Sequence, residues 1–84
     1  MEWDVVSVKV IGPRALMVRF FDGTAGDVRF EESRFRGVFQ PLKDPDFFQK
    51  VHAIDGYVTW PGELDLAPDA MYDAIKANGV WVLV

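Results

Sequence analysis

The chain has no cysteine, one histidine (His52) and only two serines, Ser7 and Ser33. Without cysteine there is no disulfide framework, no thiolate metal site and no thiol nucleophile. Small secreted domains often depend on disulfide staples, so their absence points to the cytoplasm. A lone histidine just after a short helix, with no second ligand of its kind, reads as a helix-end dipole partner or a partly buried ring. Neither serine sits in a G-x-S-x-G or S-x-x-K frame, and nothing gathers the parts of a Ser-His-Asp site. The seven glycines form neither a G-x-G-x-x-G nor a phosphate-loop pattern. No apolar run approaches the roughly 18–20 residues of a membrane span. The opening MEWDVVSVKV, acidic at Glu2 and Asp4, does not read as a signal peptide. The expectation is a non-enzymatic protein with no cofactor, no metal and no membrane contact.

What is present is material for a core. Half of the 84 residues are hydrophobic, among them seven Phe, three Trp and two Tyr. Aromatic side chains bury the most area per residue, which suits one domain over residues 1–84 with a poor surface-to-volume ratio. The net charge is −4, unevenly spread. Residues 1–43 carry seven basic against six acidic side chains, whereas residues 44–84 carry two against seven. All five arginines precede residue 37. An acidic chain argues against direct nucleic-acid binding, and its acidic second half would steer a basic partner.

The spacing predicts a β-meander in the first third. Val6, Val8 and Val10 alternate with Val5, Ser7 and Lys9, the pattern of a strand with one buried face. Gly12-Pro13 ends it. Leu16, Val18 and Phe20 form the inner face of a second strand, and Met17, Arg19 and Phe21 its outer face. Asp22-Gly23 opens a loop reaching Asp27, and Val28 and Phe30 face inward on a third strand. Arg29 and Glu31 fall on the outer face near Arg19 if strands two and three pair.

Two short helices follow. Asp44 is placed to cap the first, Pro45 fits where a missing N–H costs nothing, and Asp46 favours the positive dipole end. Phe47 and Val51 make its buried stripe, with Phe48 adjoining. The second begins near Pro68, buries Met71 and Ile75, and stops at Asn78-Gly79. Between them Gly56 to Trp60 reads as a strand ended by Pro61-Gly62. Val80–Val84 reads as a strand that is either buried in the sheet or forms a homodimer edge. The expected fold is α+β, a mainly antiparallel sheet of about five strands with two short helices on one side.

The string F-x-P-L-x-D-P-x-x-F (Phe39, Pro41, Leu42, Asp44, Pro45, Phe48), then Trp60-Pro61, then D-L-x-P-x-x-x-Y (Asp65, Leu66, Pro68, Tyr72), resembles the bacterial domain-of-unknown-function family 2442. The earlier V-x-V…L-x-V-x-F-x-D-G pattern (Val8, Val10, Leu16, Val18, Phe20, Asp22, Gly23) is similar to that family's opening hairpin. Two departures concern turns: Gly62-Glu63 stands where the family usually has Asn-Gly, and the Asp22–Asp27 loop looks longer than a two-residue hairpin. The resemblance implies a small α+β protein, often encoded beside another small protein of unknown function (family 4160) in a toxin–antitoxin-like layout. Some members are fused to a helix-turn-helix segment. None is visible in this sequence, so direct DNA binding is not expected.

The acids Glu63, Asp65, Asp69 and Asp73 lack the spacing of a calcium loop. The aromatics Phe35, Phe39, Phe47, Phe48, Trp60 and Tyr72 are better explained as core than as a ligand cleft. Arg34-Phe35-Arg36 offers an anion- or acid-binding patch that Glu31 and Glu32 are expected to neutralise. Candidate partner-contact residues are therefore Arg34, Arg36, Trp60, Glu63, Asp65, Asp69 and Tyr72. The functional expectation is a non-enzymatic interaction domain, the acidic member of a two-protein module whose partner is a small, neighbour-encoded protein. The alternatives are a DNA-associated regulator acting through a partner and a small ligand-binding protein.

Overall fold

Alternation of apolar and polar residues builds the first sheet, in a computed structural model that describes residues 1–62 and 64–84. Strands β1 (Val5–Gly12), β2 (Ala15–Phe20) and β3 (Ala25–Phe30) form an antiparallel meander. Leu16, Val18, Phe20, Val28 and Phe30 are all buried, and Met17 and Phe21 face solvent, as the period of two requires. Strand β1 departs from its expected phase. A bulge between Val5 and Ser7 turns Val5 inward and leaves Val6 exposed, while Val8 and Val10 stay half-buried against the core. The loop after β2 is also shorter than expected. The Phe20 N–H donates to the Thr24 carbonyl at 2.8 Å, so pairing resumes at Ala25 rather than after Asp27. Arg29 stands opposite Ala15, and Arg19 opposite Ala25, which separates the two arginines along the strands.

A short 3₁₀ turn (Glu32–Arg34) and a longer 3₁₀ helix (Gly37–Lys43) lead to α1 (Pro45–Phe48). Asp44 caps α1 through its side chain, which accepts from the Asp46 N–H at 3.0 Å. This helix is a single turn, so the anchor is Phe48, fully buried, with Phe47 and Val51 packed at its margin. A second sheet, antiparallel in the order β4-β5-β6, was not foreseen as separate. Its strands are β4 (His52–Ile54), β5 (Tyr57–Trp60) and β6 (Leu64–Leu66). Asp55 and Gly56, both with positive φ, make the two-residue turn from β4 to β5.

Helix α2 (Pro68–Asn78) buries Met71 and Ile75 and ends at Gly79 in the left-handed conformation. It packs on β3 and on the last strand, β7 (Val80–Leu83), which runs parallel to β3. The larger sheet thus has the order β1-β2-β3-β7. The α+β class stands, with seven strands in two sheets among the described residues instead of about five in one. One cluster of buried side chains joins both sheets. At its centre the rings of Phe30, Phe35, Phe48 and Trp60 pack at centroid distances of 5.4 to 6.3 Å. The Trp60 indole N–H donates to the Phe48 carbonyl at 2.9 Å, which satisfies the polar edge of a ring that is 1% exposed.

Candidate functional site

Of the seven positions singled out in the sequence, the six described are spread over several elements, and Trp60 is buried. Trp60 faces the core and presents nothing to a partner. Asp65 and Asp69 are exposed, the first on β6 accepting from the Thr59 hydroxyl and the second in the opening turn of α2. Glu63 lies outside the described residues. Among the described residues no three His, Asp or Glu side chains converge as a cation site, and no helix is long and apolar enough to cross a membrane. Phe35 and Phe48 are core residues, and Phe39, Phe47 and Tyr72 pack against the core cluster at half-buried positions. His52, exposed at the start of β4, places its Nδ1 3.1 Å from the Lys50 carbonyl.

Tyr72 has a structural role that no local pattern announced. Its hydroxyl donates to the Asp22 carboxylate at 2.6 Å, its ring meets Phe20 edge-on at 5.1 Å, and Lys76 approaches the same carboxylate at 3.9 Å. These contacts tie α2 to the β2–β3 turn across 50 residues of sequence. The hydrogen bond from Tyr72, helped by those from Thr24, holds the Asp22 carboxyl down at about 2 against an ordinary 3.8. The same bond pushes the Tyr72 phenol above its usual 10.0. The Asp22 contribution is therefore complete above its unfolded value and is lost as pH falls through about 2. The Tyr72 contribution is complete below its unfolded value and is lost as pH rises through the raised one. Replacement by phenylalanine (Tyr72→Phe) is expected to return the Asp22 titration toward 3.8, read by carboxyl-carbon NMR. An unchanged titration would show that the phenol is not its partner.

Arg34 and Arg36 lie differently from the neutralised patch the sequence suggested. Glu32 turns to Arg14, at 3.6 Å, and among the described residues no Asp or Glu side chain lies within ion-pair distance of Arg34 or Arg36. Arg36 is exposed. Arg34 is half-buried, with its guanidinium 5.1 Å from the centroid of the Phe39 ring and Nη1 3.5 Å from the Val84 carbonyl. Its Nε is enclosed, with no acceptor among the described residues. The 3₁₀ turn that ends at Arg34 thereby borders the end of β7, with Arg36 two residues further along the chain.

Strand β7 is an edge of the larger sheet. On one side it pairs with β3, where the Asp27 N–H donates to the Gly79 carbonyl at 3.2 Å and the Glu31 N–H to the Leu83 carbonyl at 2.8 Å. Backbone groups alternate in direction along a strand, so those of Val80 and Val82 point away from β3. Among the described residues no strand pairs with them. Side chains alternate as well. Leu83 is buried and Trp81 half-buried on the inner face, while Val82 is 47% exposed beside Arg29 on the outer face. Val84, just beyond the strand, is 76% exposed. Proteins usually blunt such an edge with charge, a proline or a covering element. Val80 to Val84 contains no charged or proline side chain.

Several shallow depressions also mark the surface. One of about 380 Å³ lies by the β1–β2 turn and is lined by Pro13, Arg14, Arg29 and Glu31, a mixed set of charges. Another, of about 320 Å³, is lined by Arg34, Arg36, Val38, Phe39 and Val84. The first also reaches Val82 of β7, and the second meets the chain just beyond that strand, at Val84.

The sequence model of the family described as "Protein of unknown function (DUF2442)" matches residues 5–77, and the chain belongs to that family. No curated protein and no solved structure matches the chain. The match covers the opening meander, both 3₁₀ segments, the second sheet and nearly all of α2. It ends before β7.

Proposed function

We propose that this member of the DUF2442 family is a non-enzymatic interaction domain that receives a partner strand along the free edge of β7. The observation that carries this reading is the run of outward backbone groups at Val80 and Val82, flanked by exposed Val82 and Val84. An extended segment laid along that edge would meet main-chain donors and acceptors already held in register, which supplies affinity at small ordering cost to this chain. The partner is a second small protein, and the pair forms a two-protein module. With a net charge of −4, this chain is the acidic member. The exposed acids Asp65, Asp69 and Asp73 lie on β6 and α2, outside the docking strand itself.

The test is affinity purification from the native host with the wild-type chain and with Val82→Lys. Position 82 is exposed, so the lysine is tolerated by the fold and acts as an edge blocker. One small protein recovered at stoichiometric yield with wild type, and lost from Val82→Lys, is the expected result. Equal recovery with both chains would place the interface elsewhere and overturn the reading.

A further inference from the structure

We propose that Arg34 is the positioning residue of the docking edge: it clamps the far end of β7 against the 3₁₀ turn and so presents the outward backbone of Val82 in a fixed pose. This rests on the edge reading above and adds to it the residue that keeps the edge in shape. Strand β7 needs such a holder. It is four residues long and pairs with β3 alone, and no strand covers its other side among the described residues. A short strand held from one side frays at its end unless that end is tied down.

The near end is tied through Gly79. Its N–H donates to the Ile75 carbonyl at 2.7 Å, and its own carbonyl accepts from the Asp27 N–H at 3.2 Å. At the far end the chain from Glu31 to Phe39 forms a bracket. The Glu31 N–H donates to the Leu83 carbonyl at 2.8 Å, and Leu83 is 7% exposed. One turn further on, Arg34 Nη1 lies 3.5 Å from the main-chain oxygen of Val84.

By itself that last contact is long. The seat of the side chain gives it weight. The guanidinium lies 5.1 Å from the centroid of Phe39, a ring packed against the core, and its Nε is enclosed without an acceptor among the described residues. Enclosing an unanswered donor costs free energy, so the pose is held by what else the group touches: the ring face and the end of β7. Arg36, two residues on, is exposed and stacks on no ring among the described residues.

The experiment reads amide hydrogen exchange, residue by residue, in the free full-length chain. Arg34→Gln is expected to speed exchange at Leu83 about tenfold and to leave Leu16 and Val18, on the central strand β2, unchanged. Arg34→Lys keeps a cation and a donor above the ring, and should hold the change to about threefold. Arg36→Gln removes the same charge from an exposed site and should leave Leu83 as it is. Phe39→Leu takes away the seat while keeping the arginine, so it tests the clamp even if Arg34→Gln folds poorly; it too should speed Leu83 about threefold. In affinity purification from the native host, the protein recovered with wild type should fall about fivefold with Arg34→Gln and less with Arg34→Lys. Unchanged exchange at Leu83 in both Arg34→Gln and Phe39→Leu would overturn the clamp. Equal acceleration at Leu83 and Val18 would show a general loss of stability and overturn it as well. Faster exchange at Leu83 with undiminished recovery would overturn its part in docking. The edge reading fails separately, through equal recovery of wild type and Val82→Lys.

Discussion

Replacing Trp60 by alanine (Trp60→Ala) is expected to remove about 3–5 kcal/mol of stability. A domain of this length has on the order of 4–13 kcal/mol in total, so the variant should be marginally folded. The size of the effect follows from the position of the ring. Trp60 sits between Phe30 and Phe48, at 6.3 and 5.8 Å, and brings the second sheet onto the first. Its removal leaves a cavity at that junction and also deprives the Phe48 carbonyl of its indole donor. Trp60→Phe keeps part of the apolar area but loses the hydrogen bond and some ring volume, so its cost, about 1–3 kcal/mol, should fall below that of the alanine variant. Urea midpoints at constant slope measure both variants. A loss below about 1 kcal/mol for the alanine variant, the ordinary result at a surface site, would contradict the burial of this ring.

The second large effect is expected at Gly26, in β3 beneath the end of α2. A β-carbon there would lie 2.6 Å from the Gly79 carbonyl oxygen and 2.6 Å from the Ile75 side chain. That carbonyl accepts from the Asp27 N–H, so moving it aside also disturbs the first bond between β3 and β7. Overpacking of this kind costs about 1–3 kcal/mol for Gly26→Ala, and a branched side chain at the same place costs more. The loss should be accompanied by faster amide exchange at Trp81 and Leu83, because β7 is placed by α2 and β3 together. Unchanged stability in Gly26→Ala would mean that α2 does not approach β3 this closely.

Gly26 was invisible in the sequence, and the reason is general. A close approach between β3 and the end of α2 joins segments far apart in the chain, and no local pattern records it. The same holds for the Tyr72–Asp22 bond and for the parallel pairing of β3 with β7. Features set within one or two turns were legible. The Asp44 cap, the proline entry to α2, its Met71–Ile75 face and its glycine stop were all written locally. So was the inner face of β2. Strand β4 was missed although its signal was present, since Asp55-Gly56 between short apolar runs is a hairpin pattern. The bulge in β1 gave no such warning, and the alternation of valines misled by one residue.

The candidate site was legible only in part. The sequence flagged Arg34 and Arg36, and it flagged Val80–Val84 as a strand that must be either covered or paired. It also assigned Glu31 and Glu32 the task of neutralising the arginines. In the structure Glu32 turns to Arg14, and Arg34 and Arg36 line a depression that meets Val84, just beyond β7. Trp60 drew notice for its motif, and its role is to fill the core.

The central claim is that a partner pairs with the outward backbone of β7, and residue-resolved amide hydrogen exchange tests it most directly. In the free protein Val82 should exchange quickly and Leu83, turned toward β3, slowly. In the purified complex with the host partner, Val82 should slow by at least the roughly tenfold expected of a newly formed strand bond. Unchanged exchange at Val82, with protection appearing instead on α2 or β6, would contradict the account and move the interface to the acidic face.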